Sequence, residues 1–207
     1  MKITVFGATG ATGQHVLEQA RAAGHQVTAV VRDPSKVRGT DLTVVEADTM
    51  DPAAIEPAVA GADAVISALG TRNGRGPTTV CTDGATSIVR AMTAAGTRRL
   101  VVVSAAGLAK DNDDPFTRVL VKPIVQRMLR HPFADMTRME ALVRASDLDW
   151  TIIRPPMLTE GPRGAYRTEV DTGVRSGMRI SRANLAHAIL LATPDERTVG
   201  KVLTVAR

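Results

Sequence analysis

Gly7-Ala8-Thr9-Gly10-Ala11-Thr12-Gly13 stands between a short apolar, β-rich run, Lys2 to Phe6, and a stretch of helix formers at helical spacing, Gln14 to Ala23. Glycines at this spacing between a strand and a helix specify a tight βα turn that sets the helix N-terminus at the carboxyl end of the strand. Amides at that N-terminus bind a pyrophosphate, the glycines let the main chain approach it, and Thr9 and Thr12 add hydroxyl donors. An ordinary glycine-rich turn is the plain alternative. The alternation that follows favours dinucleotide binding.

Apolar runs at Gln26 to Val31, Leu42 to Val45, Ala64 to Ala68 and Arg99 to Val103 alternate with helical stretches at Pro52 to Ala60 and Thr78 to Ala95. Strands apolar on both faces, separated by helices, imply a parallel sheet covered on both sides. Past Ser104 the pattern loosens into a polar segment, Lys110 to Pro115, and a basic, apolar-striped stretch, Phe116 to Arg130, which reads first as a domain-capping helix bent or interrupted at Pro123, with a substrate lid, an oligomer contact or a membrane-surface helix as alternatives. A helix over Ala134 to Ala145 leads into a strand, Trp150 to Ile153, ended by Pro155-Pro156, since proline offers the ladder no donor. Gly161 to Gly177 reads as loop with an extended piece at Tyr166 to Glu169, followed by a helix, Ser181 to Ala192, and a last strand, Lys201 to Val205. No repeat or linker divides the 207 residues. The expectation is an α/β fold: one Rossmann-type, doubly wound parallel sheet over residues 1–207, with small C-terminal segments covering the substrate.

The end of the second strand selects the dinucleotide, because an acid there binds a ribose 2′-hydroxyl and a base binds a 2′-phosphate. Arg32 stands there, with Ser35, Lys36 and Arg38 close behind, a cluster suited to charge-assisted bonds to phosphate. The pattern points to NADP(H). Asp33 dissents, since its carboxylate could reach a ribose instead. Asp48, just past the third strand, either accepts from the adenine amino group or caps the helix begun by Asp51-Pro52.

Composition removes other classes. Aromatics make up 2% of the chain, so stacking platforms for bases are scarce, and the net charge of +5 is spread among 21 acids. No nucleic-acid partner is expected. One cysteine permits no internal disulfide, and no apolar run approaches the roughly 20 residues of a membrane span, so the expectation is a soluble, cytoplasmic chain. His15, His25, His131, His187 and Cys81 show no metal spacing, and a nucleophile elbow is absent.

With Gly7 to Gly13, Val31-Arg32-Asp33, Leu69-Gly70-Thr71-Arg72-Asn73, Pro77-Thr78-Thr79-Val80, Ser104-Ala105, Pro155-Pro156 and Gly164-Ala165-Tyr166 in this order, the chain resembles the atypical, NmrA-like branch of the short-chain dehydrogenase/reductases, and within it the NADPH-dependent flavin and biliverdin reductases. The resemblance covers nearly the whole chain. It implies that Gly7, Thr9, Gly10, Thr12 and Gly13 hold the pyrophosphate; Arg32, Ser35 and Lys36 hold the 2′-phosphate; and Asp48 and Thr49 flank adenine. It also implies that Leu69, Gly70 and Arg72 lie along the dinucleotide, that Pro155 and Pro156 close its pocket, and that Ser104 stands beside the nicotinamide as the catalytic residue. Where those reductases carry histidines near the substrate, this chain has Met136 and Met157, which pack against a planar ring but shuttle no proton. Tyr166, the third expected member of the substrate pocket, is followed four residues later by Val170, so the YxxxK acid of typical carbonyl reductases is missing.

Two functions follow. One is an oxidoreductase passing hydride from NADPH to a small planar acceptor such as FMN, riboflavin, a quinone or a tetrapyrrole, which needs few protein side chains. The other is a non-catalytic NADP(H) sensor of the NmrA type acting through a protein partner. The compact chain, expected to be a monomer or weak homo-oligomer, favours the enzyme.

Overall fold

The computed structural model describes residues 1–39, 41–71, 74, 76–108 and 127–207. The glycine turn joins β1 (Lys2–Phe6) to α1 (Ala11–Ala22), and β2 (Gln26–Val31) returns parallel to β1 with Ile3 opposite Val27. Then follow β3 (Thr43–Glu46), α2 (Pro52–Val59), β4 (Ala64–Ser67), α3 (Val80–Ala95) and β5 (Arg99–Val103). The second half adds α4 (Arg130–Arg144), β6 (Asp149–Arg154), β7 (Met157–Thr159), β8 (Arg167–Val170), β9 (Arg179–Ser181), α5 (Arg182–Ala192) and β10 (Lys201–Ala206).

The main sheet runs β3-β2-β1-β4-β5-β6-β10-β8, parallel except for β8, which pairs antiparallel with β10. This is the doubly wound α/β fold expected from the alternation, and its strand order reverses between β1 and β4, so a crevice opens there at the carboxyl ends of the strands. Each sheet face carries its own core. On one, α1 and α5 pack together over Val5, Ala29, Ile66 and Leu203; on the other, α2, α3 and α4 cover Phe6, Val65, Leu100 and Ile152. Arg99 closes the far end by donating to the last carbonyls of α5, Ala192 at 2.6 Å and Thr193 at 2.9 Å, which leaves those groups satisfied.

Differences from the sequence reading are local. α1 begins at Ala11, directly after Gly10, and α4 begins at Arg130, with Pro132 in its first turn where a missing N–H costs nothing. The β7–β9 pair was not foreseen; three residues each, behind two prolines, leave no alternation to read. Of the stretch Phe116 to Arg130, residues 116–126 lie outside the described residues.

Candidate active site

A cleft of about 1590 Å³ opens along the carboxyl ends of the parallel strands, from the glycine turn across to the β7–β9 pair. Gly7 has φ +76°, and a Cβ there would lie 2.5 Å from the Ala68 carbonyl oxygen, so only glycine lets the first turn press against the end of β4. Gly13 faces inward, where a Cβ would lie 2.2 Å from the Gly7 oxygen, and its role is packing of helix against turn rather than contact with the cleft. Gly10 is different: it is the N-cap of α1, lines the cleft at φ −77°, and a Cβ would meet only the Gly7 oxygen, at 3.2 Å. Among the described residues no side chain caps α1, in contrast to Asp51 on α2 and Ser181 on α5, so the opening amides of α1 present donors and a positive dipole end to the cleft. Thr9 and Thr12 line the same wall.

At the end of β2 a turn sets Arg32 and Asp33 apart. Asp33 caps the short 3-10 turn Pro34–Lys36, accepting from the Ser35 amide at 3.1 Å and the Ser35 hydroxyl at 2.6 Å while pairing with Lys36 Nζ at 2.7 Å. The bonds from Lys36 and Ser35 lower its carboxyl to about 2. Arg32, Ser35, Lys36 and Arg38 line the cleft; Asp33 is not among the lining residues. Because the Lys36–Asp33 pair is exposed, an arriving phosphate can recruit Lys36 at small cost. Asp48 and Thr49 also line the cleft, with Asp48 accepting from the Met50 amide at 3.1 Å, and the helix cap considered for Asp48 belongs to Asp51 instead.

Leu69, Gly70, Pro155 and Pro156 border the middle of the cleft, with Leu69 seated where α3 carries Gly84. Arg72 lies outside the described residues. Ser104, at the end of β5, lines the cleft but is 3% exposed, and its hydroxyl donates to Glu140 Oε1 at 2.6 Å. Glu140, on α4, is gripped by Arg154 Nε at 2.8 Å and Nη2 at 2.6 Å and by Arg144 Nη2 at 2.9 Å. Burial alone would push this carboxyl up, yet the bonds from Arg154 and Ser104 and the two guanidinium charges hold it below the usual glutamate range. Sequence reasoning missed Glu140. The signal was there, as Glu140 falls on the Met136–Val143 face of an amphipathic helix, and Arg154 directly follows the apolar pair Ile152-Ile153 in β6.

The far end of the cleft carries four thioethers, Met136 and Met157 as expected and also Met128 and Met178, beside Phe133 and Leu158. Met157 and Met178 are 64% and 55% exposed. Tyr166, expected in this pocket, is not among the lining residues; its hydroxyl lies 2.9 Å from His187 Nδ1 and the rings meet edge-on. Cys81 is no nucleophile, because burial and the adjoining Asp135 raise its thiol to about 12. Asp135 is a buried brace, accepting from the Cys81 and Thr82 amides at the start of α3 at 2.9 and 3.0 Å. Among the described residues no group of His, Cys, Asp or Glu is arranged to hold a metal ion, and no helix is long and apolar enough to cross a membrane.

The model of a family described as NAD(P)H-binding matches residues 7–196. The protein YwnB of Bacillus subtilis is 28% identical, over 92% of this chain and 91% of its own length. A 3-diazoavenalumate denitrifying reductase of a Streptomyces species is 33% identical over 84% of this chain, which spans 62% of that reductase. A crystallised protein of Burkholderia pseudomallei superposes with a TM-score of 0.84 at 28% identity, each chain covered over 100% of its length.

Proposed function

This chain belongs to the NAD(P)H-binding family, and on that premise we propose that it is an NADPH-dependent reductase that delivers hydride to a flavin or a similarly planar acceptor. The observation that carries the reading is the polarity of the cleft, which has the α1 amides and the exposed cations Arg32, Lys36 and Arg38 at one end and a largely apolar wall of Phe133, Leu158, Met128, Met136, Met157 and Met178 at the other. The residues fit such a cofactor. Uncapped amides of α1 meet a pyrophosphate where Gly10 leaves room, and Arg32 meets a 2′-phosphate together with Lys36 once that ammonium leaves Asp33, while Ser35, whose amide and hydroxyl both donate to Asp33, holds that carboxylate in its own loop. Asp48 and Thr49 border the adenine, and Leu69, Gly70, Pro155 and Pro156 border the remainder of the dinucleotide, which brings the nicotinamide to Ser104.

When bound, the reduced nicotinamide supplies hydride, which is the hard chemistry. The protein's part is to orient and to exclude water. Met136, Met157 and Met178 give a soft, polarizable wall that adapts to a flat ring, and the segments around β7 and β9 cover it. Among the described residues, no histidine lines the cleft, so the proton completing the reduction comes from water. The Streptomyces relative is described as a 3-diazoavenalumate denitrifying reductase, and a planar, electron-poor acceptor is the type that the methionine wall suits.

The test is NADPH oxidation followed at 340 nm with FMN, riboflavin, quinones, biliverdin and an aryl diazonium salt. Turnover with at least one flat acceptor and preference for NADPH over NADH is expected. Tight NADPH binding without turnover of any of them would favour the sensing role over the enzyme.

A further inference from the structure

Every donor around Glu140 is a cation or the Ser104 hydroxyl. Arg154 occupies both carboxylate oxygens and Arg144 adds a second contact to Oε2, so the charge of Glu140 is balanced on the spot and the group stays ionised. An ionised carboxylate only accepts. The hydroxyl hydrogen of Ser104, 2.6 Å from Oε1, is therefore spent on Glu140, which leaves the serine oxygen to face the cleft with lone pairs. Resting on the dinucleotide reading above, we propose that Glu140 is a positioning residue that fixes Ser104 as a hydrogen-bond acceptor toward the ligand, so that the carboxamide N–H of the nicotinamide is what Ser104 recognises. Ser104 then donates no proton to the acceptor molecule, and its contribution is to set the ring's rotation. A purely structural pair, tying α4 to β6, would hold the same atoms together and leave ligand preference untouched.

The two roles separate on a ligand that lacks the N–H. In 3-acetylpyridine-adenine dinucleotide phosphate, reduced form, a methyl replaces the amide nitrogen while the carbonyl remains. Binding of NADPH and of this analogue is measured by calorimetry on wild type, Glu140→Gln and Ser104→Ala, with a thermal melt for each. Wild type should prefer NADPH by about 10-fold, the worth of one good hydrogen bond. In Glu140→Gln the single amide oxygen must face the arginines, its NH₂ turns to Ser104, and the freed hydroxyl can donate to the analogue's carbonyl. The preference should then fall to near unity. Ser104→Ala, which leaves the Glu140–Arg154 pair intact, should lose the preference as well, and it decides the matter if the glutamine variant does not fold. A folded Glu140→Gln or Ser104→Ala that keeps the full preference, or a wild type that shows none, overturns the proposal while NADPH binding stands. No binding of NADPH to the wild type would instead remove the dinucleotide reading and this inference with it.

Discussion

Arg32 and Gly10 carry the two sharpest consequences for single side chains. Arg32 is exposed at the cleft, and its neighbour Asp33, the one carboxylate placed to choose a ribose 2′-hydroxyl, is engaged by Ser35 and Lys36. Arg32→Ala should therefore weaken NADPH by roughly 10- to 150-fold, the loss of about 1.5 to 3 kcal/mol from one charge-assisted contact, while NADH changes little. Titration of both cofactors checks it, and an unchanged NADPH to NADH ratio would place the phosphate elsewhere. Gly10 differs from its two partners in that its φ of −77° suits any residue and a Cβ there enters the cleft rather than the core. Gly10→Val should abolish dinucleotide binding with the circular dichroism spectrum and melt retained, whereas the same change at Gly7 or Gly13 collides with backbone and should cost the fold.

The helices that frame the cleft are joined by side chains whose partners lie far away in sequence, and this is where legibility ends. β1, the glycine turn, β2 and Arg32 follow one another closely in the chain, so the strand–turn–helix–strand geometry that brings the glycine turn and Arg32 to one cleft follows from local spacing. Asp135 and Glu140 act across 53 to 54 and 36 positions, on the start of α3 and on Ser104, and a pattern of apolar spacing says only that α4 has a buried face. Tyr166 was misplaced for the same reason: a motif fixes its order in the chain, but its packing on His187 of α5 is tertiary. Asp135 offers the clearest test of such bracing. Fully buried, it accepts two amides and the Thr82 hydroxyl, the latter at 2.6 Å, and Asp135→Asn trades an acceptor-only group for one whose NH₂ must face donors. The variant should lose about 1 to 3 kcal/mol in urea unfolding at unchanged m. A stability equal to wild type would mean that α3 does not depend on this cap.

Across the molecule, the four histidines sit apart from the cleft, so stability and turnover should respond to pH separately. His187, half of the Tyr166 pair, has its imidazole lowered from 6.5 by burial first and by the Arg163 charge second. A base whose folded value lies below its unfolded one binds more protons unfolded than folded throughout the window between them. Its stabilising contribution is thus complete above about 6.5 and is lost as pH falls through that window. Glu140, Asp171 and Asp195 are lowered too, but from carboxylate values of 4.5, 3.8 and 3.8, so their contribution begins to fade only in stronger acid. The melting temperature should therefore decline in two stages on acidification, the first below about pH 6.5, and His187→Gln should remove that first stage alone. His131 accepts from its neighbour Arg130 at 3.1 Å and, like His15, His25 and His187, is not among the residues lining the cleft. Measured at a temperature where the fold persists throughout, kcat for any flavin reduced should run level from pH 6 to pH 8, since water needs no titrating side chain to deliver the proton. A break in kcat that disappears in His131→Gln with NADPH affinity intact would put a histidine back into the chemistry. A break that disappears only in His187→Gln would trace instead to local loosening around Tyr166, and the melt of that variant, run over the same pH range, tells the two apart.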